Sequence, residues 1–113
     1  MSTEATLTHH LTALSEGLDA IVEDYDEKSV LFTPEGPLKG RSEIYSFYEE
    51  FLTGSPPDLI ESIELMRQDI MGDSAYIIWS AVPYICMATD TFLVRDGTIR
   101  MQSFALLDAP SLE

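Results

Sequence analysis

The clearest alternation of apolar and polar positions lies in residues 87–107, where two such runs flank the pair Asp96-Gly97. Asp-Gly between alternating runs predicts a β-hairpin, because both turn residues need a positive φ. A two-residue loop pairs Val94 with Ile99, Phe92 with Met101, Asp90 with Ser103, and Ala88 with Ala105. One face of the hairpin is then apolar apart from the Asp90 carboxylate. A lone acid on a core-facing stripe breaks a local rule, as functional sites often do.

Upstream, apolar residues recur at helical spacing and later give way to strand patterns. The predicted helices are a first one from Ser2 with Leu7, Leu11 and Leu14 on its apolar face, a short one over 18–25, and a third from Arg41 or Ser42 to Gly54. The predicted strands are 29–33, a short return at Leu38-Lys39, 59–71 and 75–82, with Pro83 ending or bulging the last. Helices first and antiparallel strands afterwards indicate an α+β fold, with helices packed on one face of a curved sheet.

Composition narrows the classes of partner. The 113 residues are expected to form one domain, 1–113, and carry a formal charge of −14, which disfavours nucleic acid and anionic membranes. Cys86 is the single cysteine, so an internal disulfide is excluded and a reducing compartment is expected. No signal-peptide pattern and no run of about 18–20 apolar residues is present, so we expect a cytoplasmic protein with no membrane partner.

Several short motifs occur in a characteristic order: 18–22, the 29–34 strand with its proline, Gly40 before Ile44-x-x-Phe47-Tyr48, 72–75, Thr89-Asp90-Thr91-Phe92 and 96–99. In this order the chain resembles the NTF2-like superfamily, in the bacterial SnoaL-like branch that includes the ketosteroid isomerases. The resemblance covers nearly the whole chain. It implies a cone-shaped α+β fold, a strongly curved, mostly antiparallel sheet wrapped around three N-terminal helices, with an apolar pocket inside. It also implies homodimers formed through the outer face of the sheet.

The resemblance carries over to individual positions of this sequence. Asp90 matches the isomerases' protonated aspartic acid that donates a hydrogen bond to the substrate oxyanion. His10 stands where those enzymes have a second donor, a tyrosine, and Tyr48 matches the tyrosine that supports that donor. Thr33 occupies the place of the general-base aspartate, and a threonine hydroxyl cannot remove a carbon-bound proton at neutral pH. Steroid isomerisation therefore does not follow from the match.

From physical chemistry alone, each of these residues has either a chemical role or a purely structural one. Burial of Asp90 on an apolar wall raises its pKa, which suits a hydrogen-bond donor or an acid–base group, whereas a non-catalytic polar anchor fits equally well. His10 is either its acid–base partner or a half-exposed helix residue, and Tyr48 is either a supporting donor or a packed aromatic. Cys86 is predicted to be a small buried apolar residue. The acids of 23–27 are predicted to form a solvated face. The predicted pocket lining comprises Thr33, Phe47, Phe51, Trp79, Tyr84, Phe92, Met101 and Ser103.

Two functions remain open at this stage. The first is an isomerase, cyclase or dehydratase that acts without cofactor on a small apolar molecule bearing oxygen, with Asp90, His10 and Tyr48 as its site. The second is a non-catalytic homodimeric module that binds a small ligand or a protein. We find no spacing of His, Cys, Asp and Glu that predicts a metal site, since His9 and His10 point apart on a helix.

Overall fold

The computed structural model describes residues 1–108, for the last of which only the backbone is considered. Its helices are α1 (Thr3–Ala13), α2 (Leu18–Val22) and α3 (Gly40–Gly54). Its strands are β1 (Val30–Thr33), β2 (Gly36–Lys39), β3 (Glu64–Met71), β4 (Ser74–Ala81), β5 (Ile85–Arg95) and β6 (Thr98–Asp108). A single 3₁₀ turn, Ile60–Ser62, precedes β3. Residues 109–113 lie outside the described part of the chain.

The strands form one sheet in the order β2-β1-β6-β5-β4-β3. The β1–β6 pair is parallel and the other pairs are antiparallel. Helix α1 packs on β4 and β5, and α3 packs on α2 and β2. The helices therefore lie together inside a strongly curved sheet, and the predicted cone-shaped α+β fold is confirmed. No helix of the described part is long and apolar enough to cross a bilayer.

Local chemistry explains where the N-terminal helices begin and end. The Ser2 hydroxyl caps α1 by accepting a hydrogen bond from the Ala5 N–H at 3.0 Å. Gly17 then separates α1 from α2 with a φ of 113°, a conformation that an L side chain rarely adopts. The predicted strand starting at Leu59 is wrong over its first residues. There the Asp58 carbonyl accepts bonds from both the N–H and the hydroxyl of Ser62, which closes a turn.

The hairpin forms as predicted at its tip, but its register changes after the first two residue pairs. Asp96 and Gly97 have φ values of 53° and 74°, and Val94 lies opposite Ile99. Next, however, Leu93 pairs with Met101, so Arg100 is an extra residue in β6 and forms a bulge. Because side chains alternate, this single residue exchanges the two faces of β6 beyond the tip. The partners of Asp90 and Phe92 are therefore Phe104 and Gln102, and the predicted register beyond the tip is wrong.

The core occupies the space between the helices and the inner face of the sheet. Its main cluster is Leu7, Ala13, Ile21, Tyr25, Leu31, Ile44, Tyr48, Ala75, Ile77, Phe92, Val94 and Ile99. A smaller cluster of Leu59, Ala81, Ile85 and Ala88 closes the other end. The prediction that the acids of 23–27 form a solvated face is wrong for Asp24, which is buried.

Candidate functional site

A cavity of about 300 Å³ opens between α1, α3 and the inner face of the sheet. Most of its lining is apolar. The lining residues are His10, Leu11, Leu14, Ser15, Phe47, Tyr48, Phe51, Ile60, Ile63, Leu65, Ile77, Trp79, Asp90, Gln102 and Phe104. Among them, Asp90 is the single carboxyl group. The size and the few polar groups are those of a site for a small molecule.

Asp90 is 7% exposed and accepts two hydrogen bonds. Trp79 Nε1 donates to Oδ1 at 2.8 Å, and Gln102 Nε2 donates to Oδ2 at 2.7 Å. Burial raises the pKa of the Asp90 carboxyl, and the bonds from Trp79 and Gln102 oppose that rise without cancelling it. Each oxygen retains capacity for one further partner. The carboxyl is therefore held in a fixed orientation and biased toward taking up a proton.

The Gln102 amide connects Asp90 to two buried tyrosines. The Tyr25 hydroxyl donates to Gln102 Oε1, and the hydroxyls of Tyr25 and Tyr48 lie 3.0 Å apart. Tyr25 is fully enclosed beneath the cavity, whereas Tyr48 lines it. Burial raises the pKa of both phenols well above the ordinary value, so both stay protonated over the physiological range.

His10 lies on α1 at the cavity wall, among aromatic rings. Its ring centroid is 5.5 Å from that of Phe92, 6.0 Å from that of Tyr25 and 6.2 Å from that of Tyr48. Its Nδ1 is buried and has no hydrogen-bond partner among the described residues. Burial lowers the pKa of His10 to about 4, so the ring is neutral at pH 7. His10 is thus deeply buried, and Asp90 is not its hydrogen-bond partner.

Within residues 1–108, no group of three or more His, Cys, Asp or Glu side chains is placed to hold a metal ion. Neither a family model nor a curated protein matches the sequence.

Solved structures named NTF2-like or SnoaL-like do match the fold. A SnoaL-like protein of unknown function from Burkholderia thailandensis is 19% identical, with a TM-score of 0.77 over 93% of this chain and 94% of that one. A protein from Sinorhizobium meliloti, provisionally named a polyketide cyclase, is 17% identical, with a TM-score of 0.74 over 89% and 94%. One from Kribbella flavida, provisionally named a ketosteroid isomerase, is 15% identical, with a TM-score of 0.72 over 98% and 82%.

This chain has the NTF2-like fold. At such identities the likeness establishes the architecture, and an activity has to be argued from the site itself.

The NTF2-like cone brings the three residues predicted as catalytic, Asp90, His10 and Tyr48, into the lining of one cavity. Three residues predicted to line the pocket, Phe47, Phe51 and Trp79, also line the cavity. The arrangement differs from the predicted one in its pairings, since Asp90 is bonded to Trp79 and Gln102 instead of His10.

Five residues predicted to line the pocket are absent from the cavity wall. The bulge in β6 turns Met101 and Ser103 to the outer face of the sheet. The Thr33 hydroxyl instead closes the β1–β2 turn, donating to the Gly36 carbonyl at 2.9 Å. The Tyr84 hydroxyl donates to Asp58 Oδ1 at 2.7 Å near the surface, and Phe92 is buried behind His10. Cys86, expected to be buried, is exposed.

Two members of the polar network, Gln102 and Tyr25, and one lining residue, Phe104, were not predicted as site residues from the sequence. A signal for the β6 residues exists in the chain. Between Gln102 and Leu106 the bulky side chains fall on even positions, at Phe104 and Leu106, whereas Ser103 and Ala105 are small. That change of parity marks a bulge. Nothing local marks Tyr25, because its partners are distant in the sequence.

Proposed function

We propose that this protein is an acid–base enzyme of the isomerase, cyclase or dehydratase kind. It acts without a cofactor on a small, apolar, oxygen-bearing molecule, and Asp90 carries the proton. The observation that carries the proposal is the environment of Asp90, a lone carboxyl in an apolar cavity with a raised pKa and two neutral N–H donors. Acids whose pKa is shifted by burial in a cleft cluster at functional sites. The names of the Sinorhizobium and Kribbella proteins agree with this class of chemistry.

The proposed step is removal of a proton from the carbon next to a ligand carbonyl. The C–H bond breaks, an O–H bond forms on Asp90, and the electron pair moves through the new C=C bond onto the carbonyl oxygen. Returning the proton to another atom completes an isomerisation, so atoms and charges balance without a second reactant. A carboxyl with a raised pKa suits this role, because general bases work best when their pKa approaches the working pH.

Tyr48 and His10 serve the ligand oxygen in this proposal. Both line the cavity, and both are uncharged at neutral pH. A phenol and a neutral imidazole can each donate one hydrogen bond to a developing oxyanion in a site that excludes water. Thr33 takes no part, because its hydroxyl is committed to the β1–β2 turn.

Hydrogen exchange tests the proposal without knowledge of the natural substrate. In deuterium oxide, the enzyme is expected to exchange the α-hydrogens of small apolar ketones such as 1-tetralone, followed by proton NMR. Asp90→Asn should lower the exchange rate at least about 100-fold, the lower range for loss of a general base. Asp69→Asn is the matched control, since Asp69 is exposed on β3 and paired with Arg67. Equal exchange by the Asp90→Asn variant would show that Asp90 is not the base.

A second candidate is a non-catalytic homodimer that binds a small ligand, and the outer face of the sheet favours it. Met87 and Leu107 lie opposite each other there and are 42% and 63% exposed. A second apolar pair, Leu93 and Met101, lies further along the same ladder. We propose this face as the dimer interface, since exposed apolar patches commonly mark contact surfaces.

Light scattering on the purified protein tests the interface. Wild type is expected at twice the chain mass, and Met87→Lys at the mass of one chain, because lysine places a charge at the buried centre. Lys28→Met, a change on an exposed loop, is the control and should leave the mass unchanged. A monomeric wild type would remove the dimer from the proposal. Ketone binding without any α-hydrogen exchange would favour the binding module over the enzyme.

A further inference from the structure

Four side chains form a continuous hydrogen-bonded row that begins and ends at the cavity. Tyr48 and Asp90 stand at its ends, and Tyr25 and Gln102 join them. Tyr25 is not part of the cavity wall and is fully buried. The row therefore gives two separate points of the cavity a connection through the protein interior. We call these four residues the relay.

In each hydrogen bond of the relay, the donor can be told from the acceptor by starting at the Asp90 carboxylate, which can only accept when it is ionised. Gln102 donates its N–H to Asp90, so its Oε1 accepts the Tyr25 proton. The Tyr25 oxygen then accepts the proton of Tyr48. Every donor thus points toward Asp90, the arrangement that suits an ionised carboxylate. In this state the Tyr48 hydroxyl has only lone pairs left for a ligand.

Protonation of Asp90 reverses this preference. The O–H of a protonated Asp90 needs an acceptor, and a half-turn of the Gln102 amide presents Oε1 to it. The Gln102 N–H₂ group then donates to the Tyr25 oxygen, and the Tyr25 hydroxyl donates to the Tyr48 oxygen. The Tyr48 proton is released to point into the cavity. The hydrogen-bond directions in the relay change together, because each hydroxyl has one proton and can donate to only one neighbour at a time.

We propose that Gln102 and Tyr25 are positioning residues that make Tyr48 a hydrogen-bond donor to the ligand oxygen only when Asp90 holds a proton. This inference rests on the proposed function of Asp90 as the base. It makes the substrate class more specific: a ketone whose oxygen meets Tyr48 while its α-carbon meets Asp90. The Tyr48 bond forms as the proton moves, so it stabilises the enolate more than the bound ketone, which is the difference that accelerates a reaction.

The surroundings of Asp90 leave few other groups to interfere with a pH measurement. The titratable side chains that face it are Tyr25, Tyr48 from α3 and His10 from α1, while β4 and β6 contribute Trp79 and Gln102. The other buried carboxyl group of the described residues is Asp24, which is paired with His9. A transition between the ordinary carboxyl range and neutral pH that disappears in Asp90→Asn therefore belongs to Asp90.

Tryptophan fluorescence gives a direct readout, because Trp79 is the single tryptophan and its indole N–H donates to Asp90. Wild type is expected to show a fluorescence transition with pH that is absent from Asp90→Asn. Saturating 1-tetralone should move this transition to higher pH. Equivalently, the affinity for 1-tetralone should fall about tenfold per pH unit above the transition, the slope for one linked proton. The alcohol 1-tetralol, which can donate as well as accept, should show less than about a threefold change.

Tyr25→Phe tests the relay itself, since it removes the central hydroxyl and changes no residue of the cavity wall. The fluorescence transition of Asp90 should remain, but 1-tetralone should no longer move it. Tyr45→Phe on α3, outside the relay, is the matched control and should behave as wild type. If Tyr25→Phe does not fold, Tyr48→Phe removes the other end of the row and carries the same expectation.

The outcomes separate the two proposals. A 1-tetralone shift that persists in Tyr25→Phe would overturn the relay, because the ketone would then sense Asp90 directly, and would leave Asp90 as the base. Absence of a transition in wild type, or no binding of 1-tetralone at any pH, would overturn the proposed function and the relay together. A shift in wild type and Tyr45→Phe that is lost in Tyr25→Phe supports both.

Discussion

Two carboxyl groups are buried among residues 1–107 of this protein, one just after α2 and one in the wall of the cavity. They differ in the groups that compensate for their loss of contact with water. Asp24 is 4% exposed and Asp90 7% exposed, and burial raises the pKa of both. Asp24 is 2.9 Å from His9 Nδ1, a partner that can carry a positive charge. Within the described part of the chain, the hydrogen-bond partners of Asp90 are neutral N–H groups, those of Trp79 and Gln102.

The difference separates a structural acid from a chemical one. The Asp24–His9 pair joins the segment after α2 to α1. When Asp24 is ionised and His9 is protonated, their attraction stabilises the packing of these two helices. Among the described residues Asp90 has no counter-charge, and it borders open space where a bound molecule could exchange a proton with it. A buried charge without a compensating partner is costly, and proteins retain it where chemistry requires it.

The largest effect is expected from removing the amide that supports Asp90. Gln102→Leu leaves the Asp90 carboxyl and the Tyr25 hydroxyl each without one partner, which should lower the free energy of unfolding by about 2–3 kcal/mol at pH 7. Urea unfolding measures it. Gln68→Leu, at an exposed position of β3, is the matched control, and its effect should stay within about 0.5 kcal/mol. An equal effect of the two changes would mean that the network contributes nothing to stability.

An intermediate effect is expected in the pH dependence of stability. The pKa of Asp90 is higher in the folded protein than in the unfolded chain. The stability that Asp90 contributes is therefore present at pH values below its pKa in the unfolded chain, and it is lost as the pH rises through its pKa in the folded protein. The loss amounts to about 1.4 kcal/mol per pH unit across that window. Unfolding free energies of wild type and Asp90→Asn from pH 3 to 8 should therefore diverge there. Parallel curves would contradict the raised pKa.

The smallest effect is expected at the other carboxylate. The hydrogen bond with Asp24 raises the pKa of His9 in the folded protein. The stability that the pair contributes is therefore present at pH values below the histidine pKa of the unfolded chain, and it is lost as the pH rises through the pKa of His9 in the folded protein. The raised pKa of Asp24 sets the lower edge of this window. His9 is partly exposed, so His9→Gln should cost only about 0.2–1 kcal/mol at pH 6 and less at pH 9. The same loss at both values would show that packing, not charge, joins the helices.

Much of the fold could be predicted because its signals are local. The Asp96-Gly97 turn follows from backbone preference, and the α3 helix follows from apolar spacing between Gly40 and Gly54. The position of Asp90 on the inner face also follows from alternation along one strand. The 3₁₀ turn at Ile60–Ser62 was missed, since its apolar residues fit a strand equally well and its closing bonds come from Asp58.

Sequence by itself determined the element order, the hairpin tip and the lone acid of the inner face, because each depends on neighbours within a few positions. Only the tertiary structure decided the acid's partners. Trp79 and Gln102 reach Asp90 from neighbouring strands, and the register of one of those strands depends on a single bulged residue, Arg100. Tyr25 joins them from the segment after α2, 77 residues away from Gln102 along the chain. Contacts of that range are set by how the sheet curves around its helices, and no short pattern encodes them.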